Sequence, residues 1–295
     1  MTDGDKQGLP ANGEQIGLDT FDCIQSYDSP CRLLSLRGRP AMKSAPRISV
    51  IVCSYNRFDG LQRAIASVRA QIFPAAEIIV VNDGSTDARY RTAARLEGVI
   101  WIDQAENTRA RFGFPCLGFV KNVGITRATG ELLAFLDDDD EWLPGKLASQ
   151  VAALRATGCR MGATEAWRGE GVFDPRKKYP RYLAEWTKHD ALPERFTLAD
   201  IERDNLVIHS SVLIERALVA DMGGYDELPL GGVERDGRLV VEDWELWKRC
   251  LRVTDCAFVP EPQLYYDGAH GRAAKADQDV AKSRGWFSRQ LARLR

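Results

Sequence analysis

Four short apolar runs, each closed by polar residues, recur between residues 47 and 138. They read "RISVIVCSY", "EIIVVND", "GVIWIDQ" and "ELLAFLDD". The first three are rich in β-branched residues and the fourth in Leu and Phe, and each is bounded by turn formers, the pattern of a strand buried on both faces. Between the first two, Leu61, Ile65, Val68 and Ile72 lie on one face of a helix that Pro74 closes, with Asn56 as a cap. A second helix is expected through Ala93 to Leu96, and a third from about Phe119 to Ala128, stopped by Gly130. Strands alternating with helices dictate a parallel α/β sheet with right-handed crossovers. In such sheets ligands bind beyond the C-terminal strand ends. Three polar clusters fall there: Ser54 to Asn56, Asn82 to Ser85, and Asp137 to Asp140.

The second half is less regular. Lys146 to Ala156 predicts a helix, "CRMGATEAW" a strand, and residues 168–196, with three prolines, a long loop region with short helices. "LVIHSSVLI" predicts a strand, followed by a helix to Met222 and a Gly223-Gly224 stop. "EDWELWKRCLR" is helical, with Trp244, Trp247 and Leu251 on one face, and "CAFVPEPQLYY" is extended.

Composition excludes some classes. Among 295 residues, 44% are apolar and 28% charged, with net charge −2, which offers no basic footprint for a nucleic acid. Seven cysteines stand alone, without a C-x-x-C pair, so zinc-site spacing is missing and the thiols read as reduced. "MTDGDKQGLPANGEQ" has neither a basic nor an apolar leader region, and no run approaches a spanning length. The expected location is the cytoplasm, with a peripheral contact at the inner membrane face as the alternative.

The acidic run Asp137 to Glu141 raises the sharpest chemical question, because adjacent carboxylates repel. Carboxylates are hard ligands for Mg²⁺ or Mn²⁺, and such an ion can bridge them to a diphosphate. The competing reading is a solvated loop, although the run ends an apolar strand and is closed by Trp142, Leu143 and Pro144. An EF-hand would need Gly where Trp142 stands, and a D-x-D-x-T phosphatase Thr where Glu141 stands. Asp83 can accept a hydrogen bond from a base or simply make an Asx turn. Tyr55 can flank a base or pack. Glu242 and Asp243 complement a helix dipole, or Asp243 acts as a general base. His270 is a packing residue or a third ligand beside the carboxylates.

Together these segments resemble the family 2 glycosyltransferases, over roughly residues 47–270. "ISVIVCSYNR" resembles the family's opening strand, with Cys53 and Ser54 in place of its usual Pro and Thr. "EIIVVNDGSTD" is similar to its second strand, and "KNVGITRATGELLAFLDDDDEWLPGKL" to its most specific segment. "SSVLIERALVADMGGYDE", "VEDWELWKRC" and "PQLYYDGAH" resemble the acceptor half and the closing segment.

The resemblance implies a GT-A fold: a Rossmann-like, mostly parallel central sheet with helices on both faces and an irregular acceptor-side C-terminal half. Residues 1–46 would be an N-terminal extension, 47–145 the nucleotide half, 146–270 the acceptor half and 271–295 a basic tail. It implies transfer of a sugar from a UDP- or dTDP-sugar to an acceptor hydroxyl, with inversion and with Mg²⁺ or Mn²⁺. Ser54, Tyr55, Asn56 and Asp83 would hold the nucleobase side, with Lys121 and Asn122 near the nucleotide. Asp137 would reach the ribose, Asp139 the metal, Asp138 would support them, and His270 would be a late metal contact. Asp243 would be the base, steadied by Glu242. A sugar nucleotidyltransferase would want a Gly-rich basic loop after the first strand, where "CSYNRFDGLQR" has one Gly. A non-catalytic sugar-nucleotide-binding protein is the other alternative. The acceptor would be a carbohydrate, a lipid-linked group or another hydroxyl compound. The segment between Gly224 and Glu242 is longer than the compact family pattern and is expected to cover the site. "KSRGWFSRQLARLR" would suit an anionic membrane surface or a packed terminal helix.

Overall fold

A computed structural model describes residues 45–93, 96–188, 191–230, 232–235 and 238–269, all within the unit Ala41–Arg295. The expectations for residues 1–44, for His270 and for the basic tail 271–295 lie outside the described residues.

The four apolar runs form strands β1 (Ile48–Ser54), β2 (Glu77–Asn82), β3 (Val99–Asp103) and β4 (Leu132–Asp137). Between them come helices α1 (Phe58–Arg69), α2 (Arg89–Ala93), α3 (Thr108–Phe112) and α4 (Leu117–Arg127). The chain continues through β5 (Glu141–Trp142), α5 (Lys146–Thr157), β6 (Met161–Gly169), α6 (Tyr182–Thr187) and β7 (Arg195–Phe196). Then follow α7 (Leu198–Arg203), β8 (Leu213–Glu215) and α8 (Arg216–Asp221). A hairpin of β9 (Val233–Arg235) and β10 (Arg238–Val240) leads to α9 (Glu242–Leu251) and β11 (Cys256–Asp267).

The main sheet runs β3-β2-β1-β4-β8-β6-β11-β5, with β7 also on β11. Strands β1 to β4 pair in parallel, as do β6 and β11. Strand β8 is antiparallel to both β4 and β6 and joins the two parallel halves. Successive side chains of β1 enter opposite layers. Ile48, Val50 and Val52 pack with Leu61, Ile65 and Val68 of α1 and with Leu147 and Val151 of α5. Ile51 packs on the other face with Val120 of α4 and with Leu246 and Trp247 of α9. Each fully buried aliphatic side chain contributes about 1.5–3 kcal/mol, so α1 and α9 are held by their apolar stripes.

Register places the polar ends side by side. Ser54 pairs with Asn82, Asn82 with Asp103, and Cys53 with Asp137. The three clusters read from the sequence therefore share one rim.

Three local expectations change. Helix α1 ends at Arg69 rather than near Pro74, and Ile72 is 75% exposed, its N–H bound to the Pro144 carbonyl. Asn56 does not cap α1. It sits at φ 53°, and its Oδ1 accepts the N–H groups of Thr86 and Asp87. "LVIHSSVLI" is not one strand. Its middle is a tight turn, His209–Ser211, because the carbonyls of Ser210 and Ser211 are taken by Trp142 and Gln150.

Candidate active site

Asp137 ends β4 and donates its N–H to Ser210 Oγ at 3.0 Å. Its Oδ1 faces His209 Nδ1 at 3.1 Å, and His209 Nε2 lies 3.2 Å from the Tyr225 hydroxyl. Enclosure raises the Asp137 pKa, but His209, Lys121 and Ser210 outweigh it and hold the carboxyl well below its usual range. Asp138 turns the other way. It accepts Ser54 Oγ at 2.7 Å and Arg57 Nη1 at 3.3 Å. Burial, helped by Asp139, still pushes it up to about 7. The same guanidinium lies 2.5 Å from Asp139 Oδ2. The Asp138 carbonyl is pressed against α1 so closely that a Cβ on Gly60 would run into it.

Asp140, the last of the Asp137–Asp140 cluster, points inward. Its Oδ1 accepts the Asp267 N–H at 2.9 Å, while the buried Oδ2 has no hydrogen-bond partner among the described residues. Burial, then the charges of Asp139 and Asp137, raises its pKa well above the ordinary value. Oxygens of Asp137, Asp139 and Asp140 all fall within 4.8 Å of one another. Three hard oxygen donors that destabilise one another, one of them buried and unpartnered, suit a divalent cation of the Mg²⁺ or Mn²⁺ kind. The structure draws this donor set from Asp137, Asp139 and Asp140. The expected third ligand, His270, lies outside the described residues.

A cavity of about 520 Å³ opens beside this cluster. One wall carries Asp83, where β2 ends. Its Oδ1 accepts the Thr108 N–H, and its Oδ2 accepts Thr108 Oγ1 and Asn107 Nδ2, at 2.7–2.9 Å. The two residues that start α3 thus fix the carboxylate, and burial still raises its pKa against the Thr108 bonds. Tyr55, 46% exposed, lines the same cavity, as do Ser54, Asp137, Asp138 and Asp139.

Lys121, Glu242 and Asp243 also line the cavity. Lys121 Nζ meets Glu242 Oε1 at 3.0 Å, with both side chains buried, and lies 5.0 Å from the centre of the Tyr225 ring. Burial opposes both charges, but Lys121 holds Glu242 below its usual pKa, and Glu242, Asp137 and Asp243 keep Lys121 charged. Asp243 follows directly at the start of α9. Burial first, then the Glu242 charge, lifts it to about 6, against the pull of Lys121 and His209. Two adjacent carboxylates thereby separate in acidity: one paired and ionised, one poised near neutrality.

Two candidates lie elsewhere. Asn56 is spent on the Thr86–Asp87 turn. Asn122 brackets Tyr225, accepting its N–H and donating to its carbonyl, both at 2.9 Å. Its role here is to seat the Tyr225 backbone.

Trp142 explains the closing "EWLP". Its Nε1–H donates to the Ser210 carbonyl at 2.8 Å, and Lys146 Nζ sits 4.0 Å over its ring. Lys146 donates to Gln150, which donates to the Ser211 carbonyl. This buried clamp holds the His209–Ser211 turn against Asp137. Sequence reasoning missed Arg57, Thr108, His209, Ser210 and Asp140. The basic residue right after "SYN" and the polar "HSS" inside an apolar run were the available signals.

A mostly parallel sheet whose rim gathers Asp83, an acidic trio and a near-neutral Asp243 defines a GT-A type architecture. The glycosyl transferase family 2 profile matches residues 49–216, and the chain belongs to that family. A Mycobacterium tuberculosis protein described as an uncharacterised glycosyltransferase is 32% identical over 194 residues, covering 63% of this chain and 64% of that one. The GalNAc(5)-diNAcBac-PP-undecaprenol beta-1,3-glucosyltransferase of Campylobacter jejuni is 36% identical over 110 residues, 35% of this chain and 33% of that one. The chain thus spans between about a third and just under two thirds of the length of these curated relatives. The crystal structure of S. aureus TarS 1-349 in complex with UDP-GlcNAc shares the fold at TM-score 0.56. It is 19% identical and covers 75% of this chain and 58% of that one. Among the described residues no helix is long and apolar enough to cross a membrane.

Proposed function

We propose that this chain moves a sugar from a nucleotide diphosphate donor, UDP- or dTDP-linked, to an acceptor hydroxyl with inversion. The observation that carries this reading is the placement of Asp243, lifted to about 6, in one cavity with Asp83 and the acidic strand end. Asp83 offers carboxylate lone pairs to an imide N–H of a pyrimidine, and the exposed Tyr55 ring a face for the base. Asp137, Asp139 and Asp140 would hold a divalent cation, which when bound offsets the charge that develops on a departing diphosphate. Asp243 takes the proton of the acceptor hydroxyl as its oxygen bonds to the anomeric carbon. The bond from that carbon to the diphosphate breaks on the opposite side, and the nucleoside diphosphate leaves with the electron pair. A base so placed contributes about 10²–10⁴-fold. Glu242 stays ionised through Lys121 and keeps Asp243 basic enough for this step.

The TarS complex with UDP-GlcNAc supports a UDP-linked donor, and the name of the C. jejuni relative supports a lipid-linked acceptor. Such an acceptor would bring the chain to the inner membrane face. Calorimetry with UDP, dTDP and GDP, with and without Mn²⁺, tests the donor half. The expected outcome is cation-dependent binding that Asp139→Ala abolishes. Asp243→Asn should retain nucleotide binding and lose transfer. Absence of any nucleotide binding in the presence of metal refutes the reading.

A further inference from the structure

One wall of the cavity has a feature that donor binding and proton transfer leave unused. Tyr266 and Asp267 line the cavity. Tyr266 packs on Tyr182 at a ring separation of 5.1 Å, and Tyr182 stacks on Trp186 at 6.5 Å with planes only 22° apart. The three rings thus lead from the cavity out to the surface. Trp186 is 58% exposed, the one exposed tryptophan among the described residues.

This outer ring is held, not loose. Trp186 and Tyr182 share one face of α6 at i, i+4. The indole N–H donates to Asp204 Oδ2 at 2.7 Å. The start of α6 is tied down by the fully buried Glu165, which accepts the N–H groups of Leu183 at 2.9 Å and Ala184 at 3.1 Å. Two half-exposed groups of opposite sign stand at α6: Glu185, next to Trp186 in the chain, and Arg168, 4.0 Å from Glu185 and close enough for its charge to act on Tyr182. Leaving a large aromatic face in water is unfavourable, and fixing it by a hydrogen bond presets it for a flat ligand at little entropic cost.

We propose that Trp186, backed by Tyr182, is a stacking subsite for a sugar ring of a saccharide acceptor whose terminal hydroxyl lies in the cavity. The occupant's chemistry rests on the glycosyl-transfer reading. A sugar ring presents an apolar C–H face to the indole and hydroxyls at its edge to Arg168 and Glu185. A patch one ring wide, bordered by opposite charges and continuous with the cavity through Tyr266, fits that shape. It is narrow for a protein interface, which needs hundreds of square ångströms.

The test is capture of the intact chain on an immobilised panel of hexose and N-acetylhexosamine oligosaccharides. Wild type is compared with Trp186→Ala and Trp186→Phe, with circular dichroism to check folding. Loss of one stacking face predicts about tenfold weaker capture for Trp186→Ala, while Trp186→Phe keeps most of it. No capture by wild type, or equal capture by all three, overturns the subsite. So does loss of self-association in Trp186→Ala, read by sedimentation, because the face would then join two copies. UDP binding by the wild type is measured separately. UDP binding without Trp186-dependent capture refutes the subsite alone. Trp186-dependent capture without UDP binding refutes the transfer reading and leaves a glycan-binding face.

Discussion

Replacing Lys121 by Met keeps most of the aliphatic stem and removes the charge that faces Glu242. Both side chains of the pair are buried, at 3.0 Å. Removing one partner of a buried pair leaves the other uncompensated and costs about 3–5 kcal/mol. For a chain of this size each kcal/mol lowers the melting point by about 2–4 °C, so a fall of about 6–20 °C is expected. The penalty has a pH signature. Glu242 is held below its ordinary value of 4.5, so the pair contributes stability above that pH and loses it as the pH falls through the folded value. In Lys121→Met the lone Glu242 is relieved by protonation, so the gap to wild type narrows in acid. The double variant Lys121→Met/Glu242→Gln carries no stranded charge and should melt above the sum of the single losses. Lys121 also pulls the Asp243 pKa down towards about 6. Its removal moves the acid limb of the pH–rate profile upward. Thermal melts across pH and a pH–rate profile on the remaining folded enzyme are the assays. A melting point unchanged at neutral pH, strictly additive losses, or an acid limb that stays put or moves down would refute the electrostatic account.

Two further outcomes follow from packing around the site. Gly60→Ala forces the Asp138 carbonyl away from α1, at a cost of about 1–3 kcal/mol, and weakens cation-dependent nucleotide binding; urea melts and calorimetry read both. Asn122→Ala strands the Tyr225 N–H and carbonyl, so about 1–3 kcal/mol of stability should be lost in urea melts while UDP affinity, read by calorimetry, stays near wild type.

Local pattern carried the first half of the fold because each strand there is a continuous apolar run and α1 has a clear apolar stripe. The placement of the polar side chains was equally legible: Asp83 after a strand, Asp137 to Asp139 at the end of another, and Glu242-Asp243 opening a helix. The errors arose where a side chain took a backbone partner far along the chain. Trp142 and Gln150 pull the Ser210 and Ser211 carbonyls out of the ladder, so an apolar run that reads as one strand breaks into a turn. Asn56 and Asn122 carry the right polarity for a nucleotide, yet each is claimed by a distant turn, at Thr86–Asp87 and at Tyr225.

By itself, then, the order of apolar and polar residues determined a parallel α/β sheet and the rim on which its polar ends meet. Periodicity and strand-end position are local properties, and they survive without knowledge of contacts. Only the tertiary structure decided what each carboxylate is. The same side chain is depressed at Asp137 by His209 and Lys121, lifted to about 7 at Asp138 by burial, and lifted to about 6 at Asp243 by burial beside Glu242. Acidity depends on solvent exclusion and on charges brought from other elements, and no spacing along the chain encodes either.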